Sequence, residues 1–153
     1  MSQTTLNGGN SATAQYLADK MSEHQQFLHK SAAVGMGGLI REELADVWDE
    51  CRVPDWDGYN GFPVSWDAYN NAKRFLLAIP LGVPVPSVGA EPAGNVTLEW
   101  HHSRRRSLTV SISPNNELFY AALLGPGRAC GTEFFYDEVP STILELIERV
   151  YSC

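Results

Sequence analysis

The sequence predicts an α+β fold in two layers, an antiparallel β-meander of three to four strands with flanking helices. Three observations predict it. Apolar residues recur at helical spacing before Pro80 and alternate with a period of two after it. Short turns rich in Gly, Pro and Asn separate the alternating runs, which joins consecutive strands as hairpins. Helical spacing returns after Pro140, so helices stand on both sides of the strands in the chain and pack on one sheet face.

Residues 1–11 are polar and Gly-rich and read as a disordered tail, ahead of a single α+β domain over 12–153. The stretch 12–30 reads as a weak helix, because Tyr16, Leu17, Met21, Phe27 and Leu28 are only loosely periodic. Gly35, Gly37 and Gly38 interrupt it. A stronger helix is expected over 37–51, where Met36, Leu39, Ile40, Val47, Trp48 and Cys51 form one stripe. Residues 53–64 form a turn-rich connection, with Trp56, Tyr59 and Phe62 expected to pin it to the core. Ser65 is placed to cap a helix over 65–79, which Pro80 stops.

Leu81 to Pro86 is expected to be extended, and Glu91 to Asn95 to turn. Strands are then expected at Val96–Trp100, around Leu108, Val110 and Ile112, at Leu118–Leu124 and at Thr132–Phe135. The Ser/Thr-rich face of the first two strands is read as wet or as covering a partner. If the meander starts at Val96–Trp100, that strand is an edge, and pairing of such edges predicts a homodimer. Pro140 suits the first turn of a closing helix over 140–151, whose stripe is Ile143, Leu144, Ile147, Val150 and Tyr151.

Composition narrows the function classes. The first residues lack the basic and apolar regions of a signal peptide, and prolines break the most apolar run, after Phe75. Cys51, Cys130 and Cys153 are odd in number and far apart, which suits reduced thiols in the cytoplasm. The net charge is −7, and Glu42, Glu43, Asp46, Asp49, Glu50, Asp55 and Asp57 are opposed in their own segment only by Arg52. Such a field repels nucleic acid and favours a basic partner, or it serves solubility alone.

No catalytic, metal or cofactor site is expected. Gly35-x-Gly37-Gly38 is followed by Glu42 and Glu43 rather than by a phosphate-binding lysine. His24 and His29 are five apart, and His101 and His102 are adjacent, so neither pair suits one metal ion. A Cys130 nucleophile would need His101 or His102 to reach it across the sheet. His101-His102-Ser103-Arg104-Arg105-Arg106 is the basic cluster, placed at a hairpin tip. Arginines there suit phosphates, or suit the acidic segment of the same chain or of another copy.

The segments WDGYNGFPV, VTLEW and GTEFFYDEVP resemble those of a family of small, mostly uncharacterised bacterial proteins. These pair a W-x-G-Y-x-x-x-P loop with a Pro-rich stretch, an L-E-W strand and a closing D-E-x-P helix. The resemblance covers about residues 54–150, with Asn60 and Gly61 where Gly and Ala would be expected. It implies a shared fold, and a context of accessory proteins of toxin–antitoxin or mobile-element loci.

The leading expectation is therefore a small acidic, non-catalytic protein that binds and inhibits a basic, nucleic-acid-handling partner. An antitoxin, or an anti-defence inhibitor such as an anti-CRISPR protein, acts in this way. Glu42, Glu43, Asp46, Asp49, Glu50, Asp55, Asp57 and Trp56 would make the contact. The alternative is a nucleic-acid-contacting accessory protein using Arg104, Arg105, Arg106 and His102, and a further one a small cysteine enzyme.

Overall fold

The computed structural model describes residues 38–152, all but the first of which belong to the compact unit Leu39–Cys153. The tail at 1–11, the helix at 12–30, the Gly35–Gly37 stretch and Cys153 lie outside the described residues.

The unit contains three helices and one five-stranded sheet. Helix α1 covers 39–51 within the unit, α2 is Trp66–Ala78 and α3 is Ser141–Tyr151. The strands are β1 (Ser87–Ala90), β2 (Val96–Ser103), β3 (Arg106–Ile112), β4 (Glu117–Leu124) and β5 (Gly127–Phe134). They lie in the order β1-β2-β3-β4-β5, each antiparallel to its neighbour. This is the expected meander with one strand more. Residues 87–90 carry too short an alternation between Pro86 and Glu91 to announce a strand. Their pairing with Val96–Glu99 supplies the order that the sequence pattern lacks.

That pairing corrects the expected edge. Val96–Glu99 is covered by β1, so β1 and β5 form the edges of the sheet. The last strand is also longer than expected. It begins at Gly127, directly after the turn at Gly125-Pro126, and not at Thr132.

The core lies on one sheet face. Leu98, Trp100, Leu108, Val110, Ile112 and Leu118 point from the sheet toward Ala68, Ala72 and Phe75 of α2 and Ile143, Ile147 and Val150 of α3. Phe75 meets Phe135 edge-on at 5.3 Å. Two polar groups of the core are paired, as burial demands: Trp100 Nε1 donates to the Pro84 carbonyl at 2.7 Å, and Asn71 Nδ2 to the Ser113 carbonyl at 3.0 Å. Among the described residues Asn116 Oδ1, in the β3–β4 turn, is buried without a partner. The N-cap is as expected, with the Ala68 N–H donating to Ser65 Oγ at 3.1 Å.

The α1 stripe is shifted. Leu44 is buried and Cys51 with it, whereas Leu39 is 66% exposed. Leu44 lies at helical spacing from Trp48 and Cys51, so the inward line runs Leu44, Val47, Trp48, Cys51, with Val47 and Trp48 half-buried.

The opposite sheet face carries no helix among the described residues. Thr97, Glu99 and His101 of β2 line up across it with Ser111, Thr109 and Ser107 of β3. Phe119, Ala121 and Leu123 of β4 follow, then Thr132, Cys130 and Arg128 of β5.

Candidate functional site

The acidic residues fall into two groups. Asp55, Asp57 and Trp56 build the loop after α1. Asp55 and Asn60 adopt positive φ angles of 57° and 62°, and Asp55 Oδ1 accepts the Asn60 N–H at 2.6 Å. Asp57 Oδ1 accepts the N–H groups of Tyr59 at 2.9 Å and Gly61 at 2.8 Å. Those donors, Tyr59 foremost, hold the Asp57 carboxyl below its ordinary range. Trp56 Nε1 donates to the Phe62 carbonyl at 2.8 Å, which fastens the loop from inside. A side chain at Gly61 would meet the Asp57 carboxylate at 2.7 Å, so the turn needs glycine there.

Glu42, Glu43, Asp46, Asp49 and Glu50 are exposed along α1. Glu43 is engaged, its Oε1 accepting the Val88 N–H of β1 at 2.9 Å. Among the described residues the other four take part in no ion pair.

Aromatic residues border this helix. Trp48 meets Trp66 edge-on at 5.5 Å and Tyr69 at 5.2 Å, and Trp66 stacks on Tyr69 at 5.2 Å. Trp66 is 57% exposed, Phe62 69% and Tyr59 88%. The expectation that Tyr59 and Phe62 pin the loop is thus corrected: hydrogen bonds of Trp56 and Asp57 hold it, and those two rings face solvent. Their exposure is not legible in the loop's turn chemistry. Trp66 does carry a signal. It precedes Ala68 by two residues, which is about 200° around the helix from the buried stripe.

The basic cluster lies elsewhere. Arg104 and Arg105 form the exposed turn between β2 and β3. The Arg105 carbonyl accepts the Gly125 N–H at 2.8 Å, so the β2–β3 and β4–β5 turns are joined at one end of the sheet. Arg106 turns away from that surface and donates to the Arg149 carbonyl at 2.8 Å, satisfying the C-terminal end of α3. His102 lies at a bulge, edge-on to Tyr151 at 5.4 Å. Of the expected phosphate-contacting set, Arg106 is therefore bonded to α3, and His102, itself exposed, packs its ring edge against Tyr151. Arg128, on the open face in line with Ser107, joins Arg104 and Arg105 at this end instead.

Sheet geometry separates the two charged regions. The loop carrying Asp55 and Asp57 is bonded to the β1–β2 turn, where the Phe62 N–H donates to the Pro92 carbonyl at 2.8 Å. Arg104 follows the far end of β2. Glu43 is level with Val88 and so with Leu98, six residues before Arg104, a span of roughly 20 Å. Charges so far apart are screened at physiological salt. The basic turn is not the intramolecular partner of the acidic helix.

Cys130 is exposed in a shallow groove of about 380 Å³ on the open face, beside Thr109, Ala121 and Arg128. His101 is on β2, three strand spacings from β5, roughly 14 Å. It does not reach the Cys130 sulfur. Among the described residues no group of three or more His, Cys, Asp or Glu is placed to hold a metal ion, and no helix is long and apolar enough to cross a membrane.

No family model matches the chain, and neither a curated protein nor a solved structure is detectably similar to it.

Proposed function

We propose that this chain is a non-catalytic interaction protein that acts in the cytoplasm by docking α1 onto a basic site of a nucleic-acid-handling protein and blocking it. The observation that carries this reading is the exposed row Glu42, Asp46, Asp49 and Glu50 on α1, the helix whose Trp48 packs on the exposed Trp66 and which leads into a loop that exposes Tyr59 and Phe62. Large rings that keep much of their area in solvent supply binding energy when a partner covers them. Carboxylates around them steer a basic partner into register and raise the rate of encounter. The resemblance of the loop and strand segments to accessory proteins of toxin–antitoxin or mobile-element loci points to the same class, an antitoxin or an anti-defence inhibitor of the anti-CRISPR kind.

The test begins with capture of partners from the native host, with and without nuclease, followed by association kinetics with the captured protein at two salt concentrations. A variant carrying Glu42→Gln, Asp46→Asn, Asp49→Asn and Glu50→Gln is expected to associate at least tenfold more slowly at low salt and with a flatter salt dependence. Trp66→Ala is expected to raise the dissociation rate instead, because it removes area rather than field. Unchanged rates in both variants refute the docking reading.

A second reading is contact with single-stranded nucleic acid at the basic end. It is supported by the exposure of Arg104 and Arg105 and by Arg128 beside them on the open face. Binding that vanishes after nuclease treatment, and a loss of affinity for a single-stranded RNA probe in Arg104→Ala with Arg105→Ala, would select it.

A further inference from the structure

The two edges of the sheet differ. At β1, the outward Val88 N–H is taken by Glu43. At β5, among the described residues, no backbone hydrogen bond is made on the side away from β4. Proteins protect such edges with bulges, proline, charge or a covering element. Strand β5 pairs with β4 in unbroken register, contains no proline and carries one cation and one anion, Arg128 and Glu133.

The direction of its free groups follows from the ladder. The Phe135 N–H donates to the Asn116 carbonyl at 2.9 Å, one step beyond the Glu117–Phe134 pair. Antiparallel pairing alternates, so Gly127, Ala129, Gly131 and Glu133 turn their N–H and C=O toward β4. Arg128, Cys130, Thr132 and Phe134 turn theirs outward.

We propose that β5 pairs with β5 of a second copy of this chain, antiparallel, about a two-fold axis at Gly131. A two-fold axis between antiparallel edge strands stands perpendicular to the sheet and keeps both open faces on one side. Outward residues must therefore meet outward residues. Centred on Gly131, Arg128 meets Phe134 of the second copy and Cys130 meets Thr132. All four outward residues are then paired, closing about eight hydrogen bonds. Centred on Cys130, Phe134 would instead fall opposite Pro126, which has no N–H to give.

The side chains fit the same register. Arg128 lies across from an aromatic ring, a cation–π pair, and no like charges stand opposite each other. On the helix side, Glu133 faces Ala129. Gly131 sits on the axis, where strands approach to about 4.5 Å between Cα atoms, and brings no side chain to the contact. The exposed Phe134, stacked on Tyr136 with centroids 6.4 Å apart, gains the Arg128 guanidinium of the second copy as a neighbour.

The experiment uses the full chain: sedimentation equilibrium over a concentration series, with amide hydrogen exchange measured at the same concentrations. The wild type is expected to dimerise as concentration rises. The amides of Arg128, Cys130, Thr132 and Phe134 are expected to exchange at least tenfold more slowly in the dimer. Thr132→Pro removes an outward N–H and no bond to β4, and is expected to sediment as a monomer with the wild-type circular dichroism spectrum. Cys130→Lys puts an edge lysine on the exposed face and is expected to do the same, which covers the case in which the proline variant does not fold. A wild-type monomer into the millimolar range overturns the proposal. So does a dimer that leaves those four amides unprotected, or one that persists in a folded variant.

Discussion

The Glu43 carboxylate accepts the backbone N–H of Val88 at 2.9 Å, which bonds the acidic helix to the edge of the sheet. Among the exposed carboxylates of α1, this one is thereby structural, as Asp55 and Asp57 are in the loop that follows. Glu43→Ala is expected to cost about 1 kcal/mol of stability, since it leaves an edge N–H to water and frees α1. Glu43→Gln keeps an acceptor and is expected to cost less. Urea unfolding of both variants at neutral pH measures the difference.

Asp57 gives a pH prediction. The Tyr59 N–H, with Gly61, lowers its carboxyl pKa from the ordinary 3.8, so the anion is favoured more in the folded loop than in the unfolded chain. A lowered folded value means stability that is fully present above the unfolded pKa and is lost as pH falls through the folded one. Asp57→Ala is therefore expected to melt below wild type at pH 7. The gap is expected to narrow as pH drops below 3.8. Gly61→Ala, which forces the carboxylate away, is expected to behave like Asp57→Ala in the same melts.

The thiols are expected to separate by reactivity. Burial, with the Glu50 charge adding to it, pushes the Cys51 thiol up, and the side chain is shielded from solvent. Cys130 is exposed. In a Cys153→Ser background, a thiol-reactive dye is expected to modify Cys130 promptly and Cys51 only on unfolding. Cys130→Ser is expected to leave biological activity intact, and a loss of several orders of magnitude in a folded variant would point to enzyme chemistry.

Trp100 tests the core. Its ring is fully buried and its indole N–H is held by the Pro84 carbonyl. Trp100→Phe leaves a void and an unpaired carbonyl, at an expected cost of about 2–4 kcal/mol in chemical denaturation.

The sequence made the meander legible because alternation in Val96–Trp100, Leu108–Ile112 and Leu118–Leu124 has one face that must be buried. It did not reveal β1, where Ser87 to Ala90 takes its order from pairing with β2 rather than from its own pattern. Ser65 was legible as a cap because its chemistry is local. The fate of the acidic residues was not. Glu43 differs from Asp46 only in having Val88 beside it, and Asp57 from Asp49 only in having a glycine turn to bind, and both are tertiary facts. Arg106 adjoins Arg104 and Arg105 in the sequence, and only the position of α3 shows that its guanidinium is bonded to the Arg149 carbonyl, while the exposed His102 rests edge-on against Tyr151.

Strand order has a kinetic consequence. Each strand pairs with the next strand in the chain, and short turns join β2 to β3, β3 to β4 and β4 to β5. No strand waits for a distant segment before it finds a partner, so little loop entropy opposes the first pairings. The costly closure is the arrival of α3 against β2, β3 and β4. Mutations in the hairpins should therefore slow refolding, while mutations on the α3 stripe should mainly quicken unfolding.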